Sequence, residues 1–262
     1  MTKPKVGIFG LTGCAGCQLE ILNLEEQVLN LLTHIDVSYW RMAQELPADP
    51  TNLDIAFIEG SITNEEEIHE VKEIRENANL VITIGSCAGS GGVQGMRNIM
   101  NNDKVKAAAY KDLSGVRSVP VKGVDEVIKV DYKIRGCPIN RDDFVSIVTS
   151  LLLGRQPHVW NSPVCNECSM QNNDCFFERT TETPIYRSNI CLGPITEAGC
   201  EARCPSNGMP CDGCRGLTTD PHISQLVTEA RKRGETTEKI LMLAKRYSAG
   251  SSAVKKSFEE MR

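Results

Sequence analysis

Residues 80–88 read LVITIGSCA: the run Leu80–Ile84 goes straight into Gly85, Ser86 and Cys87. A short apolar run that stops at a glycine reads as a strand buried on both faces and ended by a sharp turn. The same pattern recurs on either side. Lys5–Gly10 (KVGIFG) runs into a glycine-rich loop that holds Cys14 and Cys17, and Leu53–Ile58 (LDIAFI) ends at Glu59-Gly60. Asp131–Ile134 is a weaker strand ending in Arg135-Gly136-Cys137-Pro138, and Ile35–Trp40 is a further strand candidate. Amphipathic helices fall between them. Leu19–Leu32 has a broad apolar face. Thr63-Asn64-Glu65-Glu66 reads as a capping box before a helix that buries Ile68, Val71 and Ile74. Asn140 can cap a helix carrying Phe144, Val145, Ile147, Val148, Leu151 and Leu152, with Asp143 at its third position. Short strands alternating with such helices predict an α/β domain over residues 1–155, a five-stranded, flavodoxin-like, doubly wound parallel sheet. In such sheets a ligand lies beyond the carboxyl ends of the strands.

The composition changes after Gly154-Arg155-Gln156-Pro157, which reads as a linker. Residues 158–216 have almost no periodicity, yet eight of the chain's 12 cysteines lie between residues 165 and 214. A segment like this can be organised by metal clusters in place of an apolar core. Two helical patterns follow, Ile223, Leu226, Val227 and Ala230, then Ile240, Leu241, Leu243 and Ala244. The expectation is a C-terminal domain over residues 156–262, irregular and cluster-binding, with terminal helices in a tail over 219–262.

The bulk properties exclude several classes. The chain has 262 residues, 40% of them hydrophobic, and a formal net charge of −5 without a clustered basic face, which argues against nucleic acid as a partner. The opening MTKPKVGIFG resembles neither a secretory nor a twin-arginine signal. No window approaches 18 uninterrupted apolar residues, so a cytoplasmic protein with no membrane span is expected. In a reducing compartment, 12 cysteines read as metal ligands or redox pairs rather than as disulfides.

Cys14 and Cys17 follow the first strand, Cys87 the strand at 80–84 and Cys137 the strand at 131–134, so all four thiols fall at one edge of the predicted sheet. Four thiolates from converging loops suit a [4Fe–4S] cubane. Gly13, Gly16, Gly85, Gly89 and Gly136 would let backbone N–H groups approach it. The alternative is a thioredoxin-like dithiol at Cys14/Cys17 with Cys87 and Cys137 as buried core thiols. Gly89-Ser90-Gly91-Gly92 imitates a phosphate loop but lacks the following Lys-Ser/Thr. The remaining cysteines run Cys165-x2-Cys168-x6-Cys175-x15-Cys191-x8-Cys200-x3-Cys204-x6-Cys211-x2-Cys214. The simplest partition is sequential, Cys165, Cys168, Cys175 and Cys191, then Cys200, Cys204, Cys211 and Cys214. That makes three [4Fe–4S] clusters in all. On spacing alone a structural zinc site remains an alternative, because zinc takes the same four-thiolate set.

Six short motifs, taken in this order and spacing, resemble the small subunit of nickel–iron hydrogenases over nearly all of residues 4–217. They are Gly13-Cys14-Ala15-Gly16-Cys17-Gln18, Ile58-Glu59-Gly60-Ser61, Gly85-Ser86-Cys87-Ala88, Gly136-Cys137-Pro138, Cys191-Leu192-Gly193-Pro194-Ile195-Thr196 and Cys211-Asp212-Gly213-Cys214. The resemblance implies that Cys14, Cys17, Cys87 and Cys137 bind a proximal cluster, nearest a nickel–iron centre held by a large-subunit partner. It implies that Cys165, Cys168, Cys175 and Cys191 bind a distal cluster, and that Cys200, Cys211 and Cys214 bind a medial one. Membrane-bound and periplasmic members use a histidine where this chain has Cys165, and many have a three-cysteine [3Fe–4S] medial site where Cys204 here can supply a fourth ligand. The all-cysteine set resembles the soluble enzymes, which pair the hydrogenase with an electron-accepting module of diaphorase or heterodisulfide-reductase type. The related subunit of complex I has adjacent cysteines at the first motif and no eight-cysteine extension. By this resemblance the chain itself carries electrons and no catalytic residue. Glu59 is either a carboxylate beside the proximal site or a solvated loop residue. His34, His69, His158 and His222 are scattered and read as non-ligands, and Trp40 and Trp160 read as packing residues.

Overall fold

Leu53–Glu59 is buried along nearly its whole length because its alternate side chains enter two different cores. Ile55 and Phe57 pack with Val6, Ile8, Ile82, Ile84, Ile134 and Phe144 on one face of a sheet. Ala56 and Ile58 pack with Phe9, Val71, Ile74 and Val81 on the other. Complete burial of a side chain such as Phe57 or Ile82 stabilises the fold by about 1.5–3 kcal/mol. A strand apolar on both faces must be covered on both, and this dictates the winding.

The computed structural model describes residues 3–178, 190–251, 254 and 256, with only the backbone of Asn102. Residues 179–189, between Cys175 and Cys191, and most of the predicted tail beyond residue 251 lie outside the described residues. In chain order the elements are β1 (Lys5–Gly10), α1 (Gly16–Leu22), α2 (Glu26–His34), β2 (Asp36–Trp40), β3 (Leu53–Glu59), α3 (Glu65–Asn77), β4 (Ala78–Ile84), α4 (Gly85–Ser90) and α5 (Asn102–Ala109). There follow β5 (Tyr132–Ile134), α6 (Arg141–Leu152), α7 (Val164–Met170), α8 (Arg203–Ser206), α9 (Ile223–Arg231) and α10 (Thr237–Ser248). The five strands pair in the order 2-1-3-4-5, all parallel. This is the flavodoxin-like order, whose direction of winding reverses between β1 and β3 and leaves a crevice at their carboxyl ends.

The expected helix over 19–32 is two helices. Glu25 adopts φ 52°, which no continuous helix passes through, and Leu24 is buried at the break. The N-cap sits one residue later than expected, at Asn64, and the N3 glutamate reaches the residue before it in place of closing a capping box. Asn64 caps α3 by accepting from Glu67 N at 2.8 Å, and Glu67 accepts from Thr63 N at 2.6 Å. Asn140 caps α6, accepting from Asp142 N at 3.1 Å. Asp143 takes no part in that cap; it pairs with Arg215 at 2.8 Å. In the C-terminal region, α9 and α10 pack Ile223, Leu226, Val227, Ile240 and Leu241 against Leu192 and Ile195.

Candidate metal centre

Four chain segments meet at the carboxyl edge of the sheet. β1 leads to Cys14 and Cys17, β3 ends at Glu59, β4 leads to Cys87 in α4, and β5 leads to Cys137. Their backbones are tied together. Leu11 N donates to Glu59 O at 2.8 Å and Ser61 N to Thr12 O at 2.8 Å. Ser86 N and Oγ donate to Gly136 O at 2.8 and 3.0 Å. Gly85 has φ +84°, and a Cβ there would strike Cys17 Sγ, so the start of α4 lies directly against the CxxC loop.

Glu59 is buried and organises this edge. Its carboxylate accepts from Cys17 N at 2.9 Å and from Gln18 Nε2 at 2.7 Å, and Gln18 Oε1 accepts from Trp40 Nε1 at 2.8 Å. A buried row of Trp40, Gln18, Glu59 and the Cys17 amide is thus satisfied along its length, which removes the solvated-loop reading of Glu59. Trp40 is a packing residue with one directed hydrogen bond. Glu67 plays a similar part nearby, accepting from Thr12 N at 2.8 Å and holding the loop after β1 against α3.

The thiols of this group sense each other. Burial, then the Glu59 charge, pushes the Cys17 thiol far up, with Cys87 and Cys137 adding to it. Burial raises Cys87, opposed by its hydrogen bond to Gln94 Oε1 at 3.3 Å and reinforced by Cys14. Cys137 is pushed up to about 11 by burial and then by Cys87, Cys214 and Cys14. Cys14 and Cys137 are exposed and Cys17 is buried, so the group opens to the surface on one side.

In the cysteine-rich segment, α7 carries Cys165 and Cys168 three residues apart and therefore on one face. Cys165 is pushed up to about 12 by burial and then by Cys191, Cys168 and Cys175. Burial raises Cys200, with Glu167 and Cys214 adding, and raises Cys204 beside Cys200. Cys211 lies between the two groups. Burial raises it well above its usual value, with Cys191 the stronger thiol neighbour and Cys214 the weaker, and its N–H donates to Cys191 Sγ at 3.3 Å. Cys214 faces two ways, toward Cys204 and toward Cys137 of the first group. Tyr247 of α10 stands at that junction, pushed up to about 12 by burial and then by Asp212, Cys137 and Cys214.

All 12 cysteines are free thiols. Among the described residues no three His, Cys, Asp or Glu side chains close around a single-ion site. The donor chemistry fits iron–sulfur clusters. Soft thiol ligands stand in neighbouring groups, and the N–H groups of Gly193 and Cys211 point at Cys191 Sγ, as cluster thiolates require. Thiols raised by burial become thiolates only when a metal replaces their protons. Gly85→Ala tests the contact between the first loops. A side chain at φ +84° costs about 1–3 kcal/mol and would displace Cys17 Sγ. Metal analysis of the variant is expected to show less bound iron than wild type, and an unchanged iron count would dismiss the contact.

Sequence reasoning missed Glu167, Gln94, Arg215 and Tyr247. Glu167 is buried inside the Cys165–Cys168 pair and accepts from Gly199 N at 2.8 Å and Cys200 N at 3.3 Å. Its signal was a charged residue enclosed by two cysteines; Gln94, Arg215 and Tyr247 carry no comparable local sign.

The family model of the NADH ubiquinone oxidoreductase 20 kDa subunit matches residues 14–151, over half of the chain. The chain is 34% identical over 236 residues to a subunit of the vhu F420-non-reducing hydrogenase of Methanocaldococcus jannaschii, covering 82% of each protein. It is 31% identical to the delta subunit of sulfhydrogenase 2 of Pyrococcus furiosus, with 84% of this chain and 89% of that protein covered. Among solved structures, the actinobacterial-type NiFe-hydrogenase of Ralstonia eutropha H16 shares the fold at a TM-score of 0.57 and 16% identity, over 100% of this chain and 92% of that one. The family model covers β2 to β5 and the first cysteine group but not β1, while the hydrogenase subunits match over a larger share of the chain. The chain belongs to the NADH ubiquinone oxidoreductase 20 kDa subunit family and is a homologue of the subunits of hydrogenase oxidoreductase complexes.

Proposed function

We propose that the chain is the electron-transfer small subunit of a nickel–iron hydrogenase. It relays electrons between the hydrogen-activating centre of a large-subunit partner and an acceptor module through three [4Fe–4S] clusters. The observation that carries this reading is the meeting of Cys14, Cys17, Cys87 and Cys137 at the carboxyl edge of the sheet, with Cys214 of the next group beside Cys137. The hydrogenase names of the relatives support it. The division is residues 1–155 for the proximal site and 156–262 for the others. Cys200, Cys204, Cys211 and Cys214 are the medial set and Cys165, Cys168, Cys175 and Cys191 the distal set. The partner on the far side is a diaphorase-type or heterodisulfide-reductase-type module, and the setting is cytoplasmic. No helix among the described residues is long and apolar enough to cross a membrane.

Clusters bound at these cysteines would supply one-electron redox chemistry. The chain's own part is to hold thiolates at fixed places, to exclude water through the buried Glu59 row and the α7 core, and to direct N–H groups at sulfur. Purification under nitrogen with iron and labile-sulfide analysis tests the reading. About 12 iron atoms per chain and a brown colour bleached by reductant are expected. A colourless, zinc-loaded protein would overturn it.

The medial set makes a separate prediction. Cys204 sits at the start of α8, exposed, with its thiol beside Cys200. Replacing it with serine is expected to remove about one iron atom per chain and to produce an oxidised-state spin signal of [3Fe–4S] type. An unchanged iron count and spectrum would strike Cys204 from the ligand set.

A further inference from the structure

Arg215 follows Cys214 directly and is 3% exposed, an uncommon setting for a guanidinium. Its donors go to three separate segments. Nη1 pairs with Asp143 of α6 at 2.8 Å and donates to Arg135 O at 3.0 Å, and Nε donates to Ala198 O at 2.7 Å. Arg135 lies two residues before Cys137, and Ala198 two residues before Cys200. The other Asp143 oxygen accepts from Trp160 Nε1 at 3.0 Å. Gly199 is closed in by the same pair: at φ +111° its missing Cβ would lie 2.7 Å from the Trp160 ring and against Arg215 Nη2. Two further bridges run parallel, Arg135 Nε to Glu197 Oε1 at 3.1 Å and Asn140 Nδ2 to Gly199 O at 3.0 Å.

A buried ion pair is weak evidence for added stability, since desolvation offsets much of its attraction. What this arrangement supplies is geometry. A planar fork with five fixed donors can hold three acceptors at once, whereas a lysine ammonium is a point charge on a flexible stem. The acceptors belong to the backbone before Cys137, the backbone before Cys200 and the helix after β5.

We propose that Arg215 is a positioning residue that locks the Cys214 segment against the Cys137 segment and so fixes the junction across which an electron passes from the first cysteine group to the middle one. The inference rests on the relay reading above. In the step concerned one electron leaves the first group, which is oxidised by one, and enters the middle group, which is reduced by one. No bond forms or breaks. The electron comes from hydrogen oxidised on the partner subunit and leaves to an added dye. Electron transfer falls with separation, so a shift of the Cys214 segment away from the Cys137 segment slows it.

The experiment uses the complex with its large subunit, as wild type, Arg215→Lys, Arg215→Met and Trp160→Phe. Iron per chain, the low-temperature spin–spin splitting between the two reduced groups, and the rate of hydrogen-driven dye reduction are measured on each. For Arg215→Met the expectation is full iron, normal reduction of the first group, a changed splitting and dye reduction slowed several-fold. Arg215→Lys should fall between it and wild type, because the charge is kept and the fork lost. Trp160→Phe, which removes the second donor to Asp143 and part of the ring beside Gly199 but leaves Arg215 in place, should change the splitting in the same direction to a smaller extent. Wild-type splitting and rate in Arg215→Met at full iron would overturn the proposal. Should that variant lose iron, unchanged splitting in both Arg215→Lys and Trp160→Phe overturns it, and a graded change supports it. A wild-type complex without iron sinks the relay reading itself and is seen before any variant is made.

Discussion

Replacing Cys87 with serine is expected to remove about four iron atoms per chain and to bring hydrogen-driven reduction of every downstream acceptor to background. Cys87 lies in α4, immediately after β4, which pairs with both β3 and β5. Its neighbours Cys14, Gln94 and Glu59 come from three other segments, so its thiol helps to close the first group. Serine keeps the shape and a hydrogen-bonding oxygen but is a poor ligand for iron held in a sulfur cubane. On the proposed reading the effect extends to assembly, because the exposed Cys14 and Cys137 put the open side of this group at the surface, where a large-subunit partner would cover it. Metal loss can also loosen a site that metal organises. Size-exclusion of the complex must therefore accompany iron analysis and a dye assay. Full iron, a retained partner and normal dye reduction would make Cys87 a partly buried packing thiol and not a ligand.

Much of this site was legible because the strands announce themselves. Runs such as LVITI at 80–84 stop at glycines, and the cysteines come directly after. With parallel strands, every such loop opens at the same edge, so local reading and topology agree. What stayed hidden depends on partners distant in sequence. Glu59 and Gln18 are 41 residues apart, and Arg215 and Arg135 are 80 apart. Nothing local distinguishes a buried, fully bonded Glu59 from a solvated one. The helix break at Glu25 was missed for a different reason: Leu19–Leu32 is apolar on so many sides that its periodicity runs through the interruption. α7 escaped because seven residues with two cysteines carry too few apolar positions to show a period. The partition of the last eight cysteines is a limit of another kind. Sequence order places Cys211 in the second set, while its backbone N–H donates to Cys191 Sγ and the residue lies between the groups. There the backbone pairing of Leu192 N with Cys211 O at 2.9 Å brings the two sets together.

Replacing Cys165 with serine should separate assembly from electron delivery. The Cys165 thiol neighbours are Cys191, Cys168 and Cys175, and no thiol of the first group is among them. The helix that carries it packs in a local core of Val164, Phe176, Cys191, Ala202 and Cys211 rather than in either core of the sheet. Loss of its iron should therefore leave the first group and the large-subunit contact intact, with iron lower by up to about four atoms per chain. On the proposed relay, delivery to the outer acceptor module should fall to background, because its outermost station would be missing. A small artificial dye that reaches the middle group should still be reduced by hydrogen. The pairing of results is the test: Cys165→Ser keeps the large subunit and the dye reaction, while Cys87→Ser loses both. If Cys165→Ser detached the large subunit and Cys87→Ser spared it, the order of the groups would be reversed, with the α7 site facing the hydrogen-activating partner and the sheet edge facing the acceptor.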